Sequence, residues 1–126
     1  MHKSRLAGFI IDCRTEELQL AAQFWGAALG LPVRPASPTD TLYRALETSP
    51  DEVHIEVQKV SHESRVHLDI ESDDIEAEVR RLERLGARRI GMVRTWCVMQ
   101  APTGQRFCVV RPQRAGFHDK ATSWKD

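Results

Sequence analysis

His67 is the side chain in this sequence that most directly suggests chemistry. It lies within residues 65–71, RVHLDIE, where apolar and polar side chains alternate and Asp69 belongs to the same polar set. A period of two is typical of a strand with one apolar and one polar face. An imidazole on such a face can act as a general base or bind a divalent metal ion.

A second alternating stretch, residues 52–60, offers a carboxylate that could act with His67. Its polar set contains His54, Glu56 and Gln58. If the two polar faces meet, the Glu56 carboxylate and the His67 imidazole would lie opposite each other.

A helix is expected directly after the strand that carries His67. Asp73 followed by Glu76 has the spacing of a capping box, with Ser72 as the alternative N-cap, and Gly86 is the expected stop. The helix has an apolar stripe and is predicted to pack on the apolar side of the strand. The apolar residues are Ile75, Val79 and Leu82 on the helix and Val66, Leu68 and Ile70 on the strand.

The strand-and-helix unit occurs twice. Residues 6–30 and 66–86 both read as a strand followed by a helix that ends in Leu-Gly, and about three strand candidates follow each copy. Such a period predicts a duplicated βαβββ module within one α+β domain. Module one is expected at about 5–60 and module two at about 64–112, with a polar C-terminal tail over 113–126 that either packs as an arm or stays loose.

Composition excludes several classes of protein. Eighteen basic and eighteen acidic side chains cancel, so no charge excess favours nucleic acid or an anionic membrane as a partner. No apolar run is long enough to cross a bilayer, and the N-terminal residues do not have the apolar core of a secretory signal. The three cysteines are odd in number and lack CxxC spacing, which favours free thiols in the cytoplasm.

Four stretches of the chain resemble the vicinal-oxygen-chelate superfamily, in particular its glyoxalase-like branch of the glyoxalase, bleomycin resistance and dioxygenase type. They are IDCRTEELQLAAQFWGAALGL, VQKV, RVHLDIESDDIEAEVRRLERLGARRI and WCVMQAPTGQRFCVVRP, which together span roughly residues 6–112. The resemblance implies two βαβββ modules that form a curved eight-stranded mixed sheet around a cavity, with the helices outside.

The resemblance also implies positions for metal ligands. Enzymes of this superfamily commonly hold a divalent ion with four His or Glu side chains, and the matching positions here are Gly8 or Ile10, Glu56, His67 and Cys108. The resemblance thus implies His67 and Glu56 as the catalytic pair, with one of them as base or both as metal ligands. Only part of the ligand pattern is kept, because neither Gly8 nor Ile10 can bind a metal through its side chain. The cofactor therefore stays open between one divalent ion (zinc, iron, manganese or nickel) and none.

The remaining candidates are expected to line the cavity. These residues are Asp12, His54, Gln58, Asp69, Trp96 and Cys108. Four of the site candidates have a plainer explanation as well. His67 could be a hydrogen-bonded histidine without metal, Glu56 a solvated residue or an ion-pair partner of Arg65 or Arg106, Cys108 a small buried thiol, and Trp96 a core residue.

Three functions remain after these arguments. The first is metal-assisted lyase or isomerase chemistry on a small oxygenated molecule. The second is a non-catalytic protein that binds or sequesters a drug or metabolite. The third is an interaction domain, as a homodimer, whose cavity has lost its role. A small-molecule ligand is the expected partner for the first two.

Overall fold

The computed structural model describes residues 1–126 as eight strands and three helices. The strands are β1 (His2–Arg14), β2 (Tyr43–Ala45), β3 (His54–Val60), β4 (Arg65–Ser72), β5 (Arg88–Val93), β6 (Trp96–Gln100), β7 (Arg106–Val110) and β8 (Thr122–Trp124). The helices are α1 (Leu18–Leu29), α2 (Ile75–Arg84) and α3 (Phe117–Lys120).

All eight strands belong to one mixed sheet in the order β2-β3-β1-β4-β7-β6-β5, and β8 pairs with β1 beside this path. The pairing of β4 with β7 is parallel, whereas β5, β6 and β7 form antiparallel neighbours. The predicted α+β class and the eight-stranded mixed sheet are therefore confirmed.

The two modules are not equally complete. The second follows the expected order, with β4, α2 and then β5, β6 and β7. In the first, α1 is followed by an isolated bridge between Val33 and Leu46 and by only two strands, β2 and β3. The Pro- and Ser-rich polar stretch over residues 34–41 lies between the two bridge residues, and its composition explains why no longer strand forms there. The eighth strand comes instead from the C-terminal tail.

The chain divides into two compact units, one formed by Met1–Gly8 with His67–Asp126 and the other by Phe9–Val66. We call these unit 1 and unit 2. The single domain and the module boundaries expected from the repeat remain predictions.

The core of unit 1 lies between α2 and the sheet. The helix packs against β5, β6 and β7, and the inward residues alternate along the strands as a period of two requires. The buried cluster consists of Val79, Leu82, Cys97, Met99, Phe107 and Val109.

Two of the three apolar residues expected beneath α2 are not there. Ile70 packs against the unit 1 core, but Val66 and Leu68 are 59% and 43% exposed. The prediction was wrong for these two because α2 lies over β5–β7 and not along the first half of β4. On the other side of that strand, the polar Asp69 and Glu71 are buried.

The start of α2 also differs from the prediction. The N-cap is Asp74, whose side chain accepts a hydrogen bond from the Ala77 backbone N–H at 3.0 Å. Asp73 instead accepts a hydrogen bond from the backbone N–H of Lys3, and its carboxylate is therefore not available for capping. The helix ends before Gly86, whose φ of 106° suits only glycine well.

The tail packs as an arm on unit 1. Glu71 is fully buried and accepts hydrogen bonds from Arg5 Nε at 2.6 Å and from the backbone N–H groups of Gln113 and Arg114 at 2.6 and 3.1 Å. Further along, the Trp124 indole donates to Ser4 Oγ at 2.8 Å, next to the pairing of β8 with β1. A buried carboxylate with three donors fixes the point where the tail leaves the sheet.

Unit 2 has a smaller core, in which α1 packs on β2 and β3. Its buried residues are Leu18, Ala22 and Val57. Gly26 of α1 approaches the chain so closely that an added Cβ would lie 2.8 Å from the Leu31 carbonyl oxygen, which accounts for glycine there. None of the helices combines the length and the apolar character needed for a bilayer crossing.

Candidate functional site

The sheet face of unit 1 opposite α2 carries the polar side chains. Along β6 and β7, the residues that alternate with the core are only half-buried. Cross-strand pairing places Val98 beside Cys108 and Gln100 beside Arg106 on this face. On β4, His67 and Asp69 share the face because they are two residues apart, and Asp69 lies directly beside Cys108 in the parallel pair.

His67, Asp69 and Cys108 form a compact cluster, which we call the donor triad. Their side-chain ligand atoms all lie within 4.8 Å of one another. His67 Nε2 is 3.6 Å from Asp69 Oδ1, and the two side chains are only 14% and 12% exposed. At 3.6 Å this contact is too long for a hydrogen bond, so the imidazole and the carboxylate lie side by side.

The donor triad fits a transition-metal ion, zinc best of all. One nitrogen, one oxygen and one sulfur donor are a set that zinc accepts, and catalytic zinc sites keep three protein ligands with one open position. Bond lengths of about 2.0–2.3 Å around a tetrahedral ion separate neighbouring ligand atoms by about 3.4 Å. The separation of 3.6 Å between His67 Nε2 and Asp69 Oδ1 is close to this value, and all three ligand atoms lie within 4.8 Å of one another.

The other predicted site residues lie on strands of both units. His54, Glu56 and Gln58 alternate along β3 of unit 2 and are half-buried there. Trp96 is a half-buried residue of β6 in unit 1, with the Arg94 guanidinium 5.9 Å from its ring centroid. That Glu56 acts with His67 and that these residues line one cavity remain predictions.

Asp12 lies in the part of β1 that belongs to unit 2. It is buried, with 2% of its surface exposed, and Arg65 Nε lies 3.7 Å from its carboxylate. A buried carboxylate beside a guanidinium stabilises a fold without any role in a site, so the role of Asp12 in lining a cavity stays a prediction.

Sequence reasoning missed one group on the face of the donor triad. Arg88, Gln100 and Arg106 form a row across β5, β6 and β7. Arg106 is two residues before Cys108, so the alternation of β7 could have assigned it to the same face. Its partners depend on pairing between distant segments, which the sequence does not display.

A family model for the glyoxalase-like domain matches residues 8–110 of the chain. The chain therefore belongs to the glyoxalase-like domain family, within the vicinal-oxygen-chelate superfamily. The match includes β4 and β7, the two strands that supply the donor triad.

Two solved structures share the fold. One is a hypothetical protein from Bacillus halodurans C-125, with 16% identity, a TM-score of 0.55 and coverage of 90% of this chain and 99% of that one. The other is a methylmalonyl-CoA epimerase in complex with methylmalonyl-CoA and NH4+, with 13% identity, a TM-score of 0.53 and coverage of 89% and 98%. At such identities the likeness concerns the fold alone. No curated protein matches the chain significantly.

Proposed function

We propose that this glyoxalase-like protein acts on a small oxygenated molecule with the help of a divalent metal ion held by the donor triad. The observation that carries the proposal is the convergence of His67, Asp69 and Cys108, whose ligand atoms lie within 4.8 Å of one another on two paired strands. The reaction class that suits such a site is a lyase or isomerase step.

Each residue of the donor triad would supply one ligand atom to the ion. His67 would bind through Nε2, Asp69 through a carboxylate oxygen and Cys108 through its thiolate. When bound, the ion would polarise an oxygen of the ligand and stabilise negative charge that develops there. Asp69 is buried and His67 and Cys108 are half-buried, which would keep most water away and strengthen these interactions.

The proposal is tested by elemental analysis of protein purified without added metal and then incubated with zinc. We expect one ion per chain in the wild type and less than about a tenth of that after dialysis of the His67→Ala variant, because a lost ligand weakens zinc binding strongly. His118→Ala is the matched control, since His118 lies on α3 outside the donor triad. Equal metal content in wild type and His67→Ala would refute the site.

A second candidate is a protein that binds a small drug or metabolite without converting it. Two observations favour it. Cys108 occupies a position where the resemblance implies a carboxylate, and the half-buried indole of Trp96 lies on β6, the strand next to Cys108. Aromatic side chains bind apolar ligands well without any metal. Thermal-shift measurements against dicarbonyls, catechols and glycopeptide drugs, with and without a chelator, separate the two candidates: metal-independent stabilisation without turnover supports the second.

A further inference from the structure

Two guanidinium groups meet on the sheet face of unit 1 that carries the donor triad. Gln100 pairs across the strands with Arg88 on one side and with Arg106 on the other, so the three residues share that face. Arg106 Nε donates to Gln100 Oε1 at 3.0 Å, and Arg88 Nη2 approaches the same oxygen at 3.5 Å. One neutral amide oxygen therefore contacts two cationic side chains.

No carboxylate of unit 1 forms an ion pair with either guanidinium. Other arginines of this unit are paired: Arg5 with Glu71, Arg81 with Glu78 and Arg89 with Glu76. Two like charges beside a single amide oxygen repel each other, and each guanidinium directs only one N–H toward that oxygen, which leaves other N–H donors for a ligand. A bound anion would remove the repulsion and occupy those donors.

We propose that Arg88 and Arg106 form an anion subsite for a carboxylate or phosphate group of the ligand. The planar guanidinium fork matches both groups because it can donate two parallel N–H bonds to two oxygens. Gln100 contacts both guanidinium groups and lies between them on the sheet.

The subsite lies close to the donor triad. Arg106 and Cys108 are two residues apart on β7, which corresponds to roughly 6–7 Å along a strand. A small molecule can span this distance, with its oxygen donors at the triad and its anionic group at the arginines. The substrate class is then an oxygenated organic acid or phosphate ester, a conclusion that rests on the proposed function, whereas the anion subsite itself rests on the arginines alone.

The test follows the Arg Nε–H resonances of the full chain by NMR while malonate, and separately inorganic phosphate, is added at constant ionic strength. Malonamide is the neutral probe with the same skeleton as malonate. We expect the Arg88 and Arg106 resonances to shift with malonate or phosphate and not with malonamide. The anion that binds with the higher affinity identifies the group as carboxylate or phosphate.

Variants make the assignment specific. Arg106→Gln should weaken binding of the anion by about tenfold or more, because it removes charged hydrogen bonds. Arg84→Gln, which removes an exposed arginine of α2, should leave the affinity unchanged. Equal affinities in wild type and Arg106→Gln, or equal shifts with malonate and malonamide, would overturn the subsite. Arg106→Lys shows whether the fork is needed: its affinity should fall between those of wild type and Arg106→Gln.

Two further measurements separate this inference from the proposed function. His67→Ala should still bind the anion, and Arg106→Gln should still bind zinc, which also shows that each variant is folded. If malonate and phosphate fail to bind while zinc binds, the subsite is wrong and the metal site stands. If zinc fails to bind while the anion binds, the proposed function is wrong and the subsite stands.

Discussion

At the scale of single residues, the parallel register of β4 and β7 determines which donors meet. Asp69 lies directly beside Cys108, and His67 precedes Asp69 by two positions on the same face. A shift of the register by one residue would bring Phe107 or Val109 beside Asp69 in place of Cys108. The site therefore depends on strand pairing as much as on residue type.

The first prediction concerns Asp69. We expect Asp69→Asn to lower the zinc affinity by at least about tenfold, because the amide has no negative charge and even groups beyond the ligand shell cost 10–100-fold when lost. Competition titration with a zinc-sensitive chelating dye measures the change. Asp119→Asn, an exposed residue of α3, is the control and should bind zinc like the wild type. Unchanged affinity in Asp69→Asn would remove Asp69 from the site.

Part of this site could be predicted from the sequence. The alternation along β4 is local, and it placed His67 and Asp69 on one face; a motif resemblance added Cys108. That Asp69 is a candidate ligand, and that Arg88 and Arg106 share Gln100, could not be predicted, since both facts depend on register between segments far apart in the chain.

At the scale of secondary structure elements, α2 shows how a local signal can mislead. Three acidic or hydroxyl residues in a row, Ser72, Asp73 and Asp74, all have good capping side chains. The tertiary contact between Asp73 and the backbone of Lys3 decides among them and leaves the cap to Asp74. The apolar stripe of α2 was predicted correctly from Val79 and Leu82, but the strands that this stripe covers were not predicted correctly.

The second prediction tests this cap. Asp74→Ala should lower the free energy of unfolding by about 1 kcal/mol, because the Ala77 N–H loses its acceptor. Asp74→Asn keeps a side-chain oxygen at the same place and should cost little by comparison. Urea unfolding followed by circular dichroism gives both values. If the two variants lose the same amount, charge and not capping is the cause.

At the scale of the whole molecule, the C-terminal tail and the N-terminal strand close unit 1 through a buried polar cluster. Glu78 of α2 is fully buried and accepts hydrogen bonds from His2 Nε2 at 2.7 Å and from Arg81 at 2.8 Å. His2 Nδ1 also contacts the Asp126 carboxylate, and the Arg81 guanidinium lies 3.8 Å from the centroid of the Trp124 ring. The sequence could not reveal this cluster, because it joins residues more than a hundred positions apart.

The third prediction is a pH dependence of this cluster. Burial lowers the pKa of His2, but the hydrogen bonds that its ring donates to Glu78 and Asp126 outweigh this effect and hold the pKa above the ordinary 6.5. The stabilisation from His2 is then fully present below pH 6.5 and is lost as the pH rises through the raised value. Urea unfolding between about pH 5 and 9 should show this loss in the wild type and a flatter profile in His2→Gln.

Glu78 should produce the opposite trend at low pH. Burial raises the pKa of its carboxyl, while hydrogen bonds from Arg81 and His2 outweigh that effect and lower the pKa overall. Its contribution to stability is present above the ordinary pKa of 4.5 and is lost as the pH falls through the lowered pKa.

One result would contradict the prediction for His2. If the stability profiles of wild type and His2→Gln run parallel above pH 6.5, this cluster does not cause the loss of stability at higher pH.

The metal site of the donor triad is tested most directly by cobalt substitution. Burial raises the pKa of the Cys97 and Cys13 thiols, so both stay protonated near neutral pH and are poor metal ligands. Titration of the metal-free protein with cobalt should therefore give a thiolate-to-cobalt charge-transfer band that saturates at one ion per chain. The band should persist in Cys13→Ala and disappear in Cys108→Ala. A band that survives in Cys108→Ala, or no band in the wild type, would contradict the account.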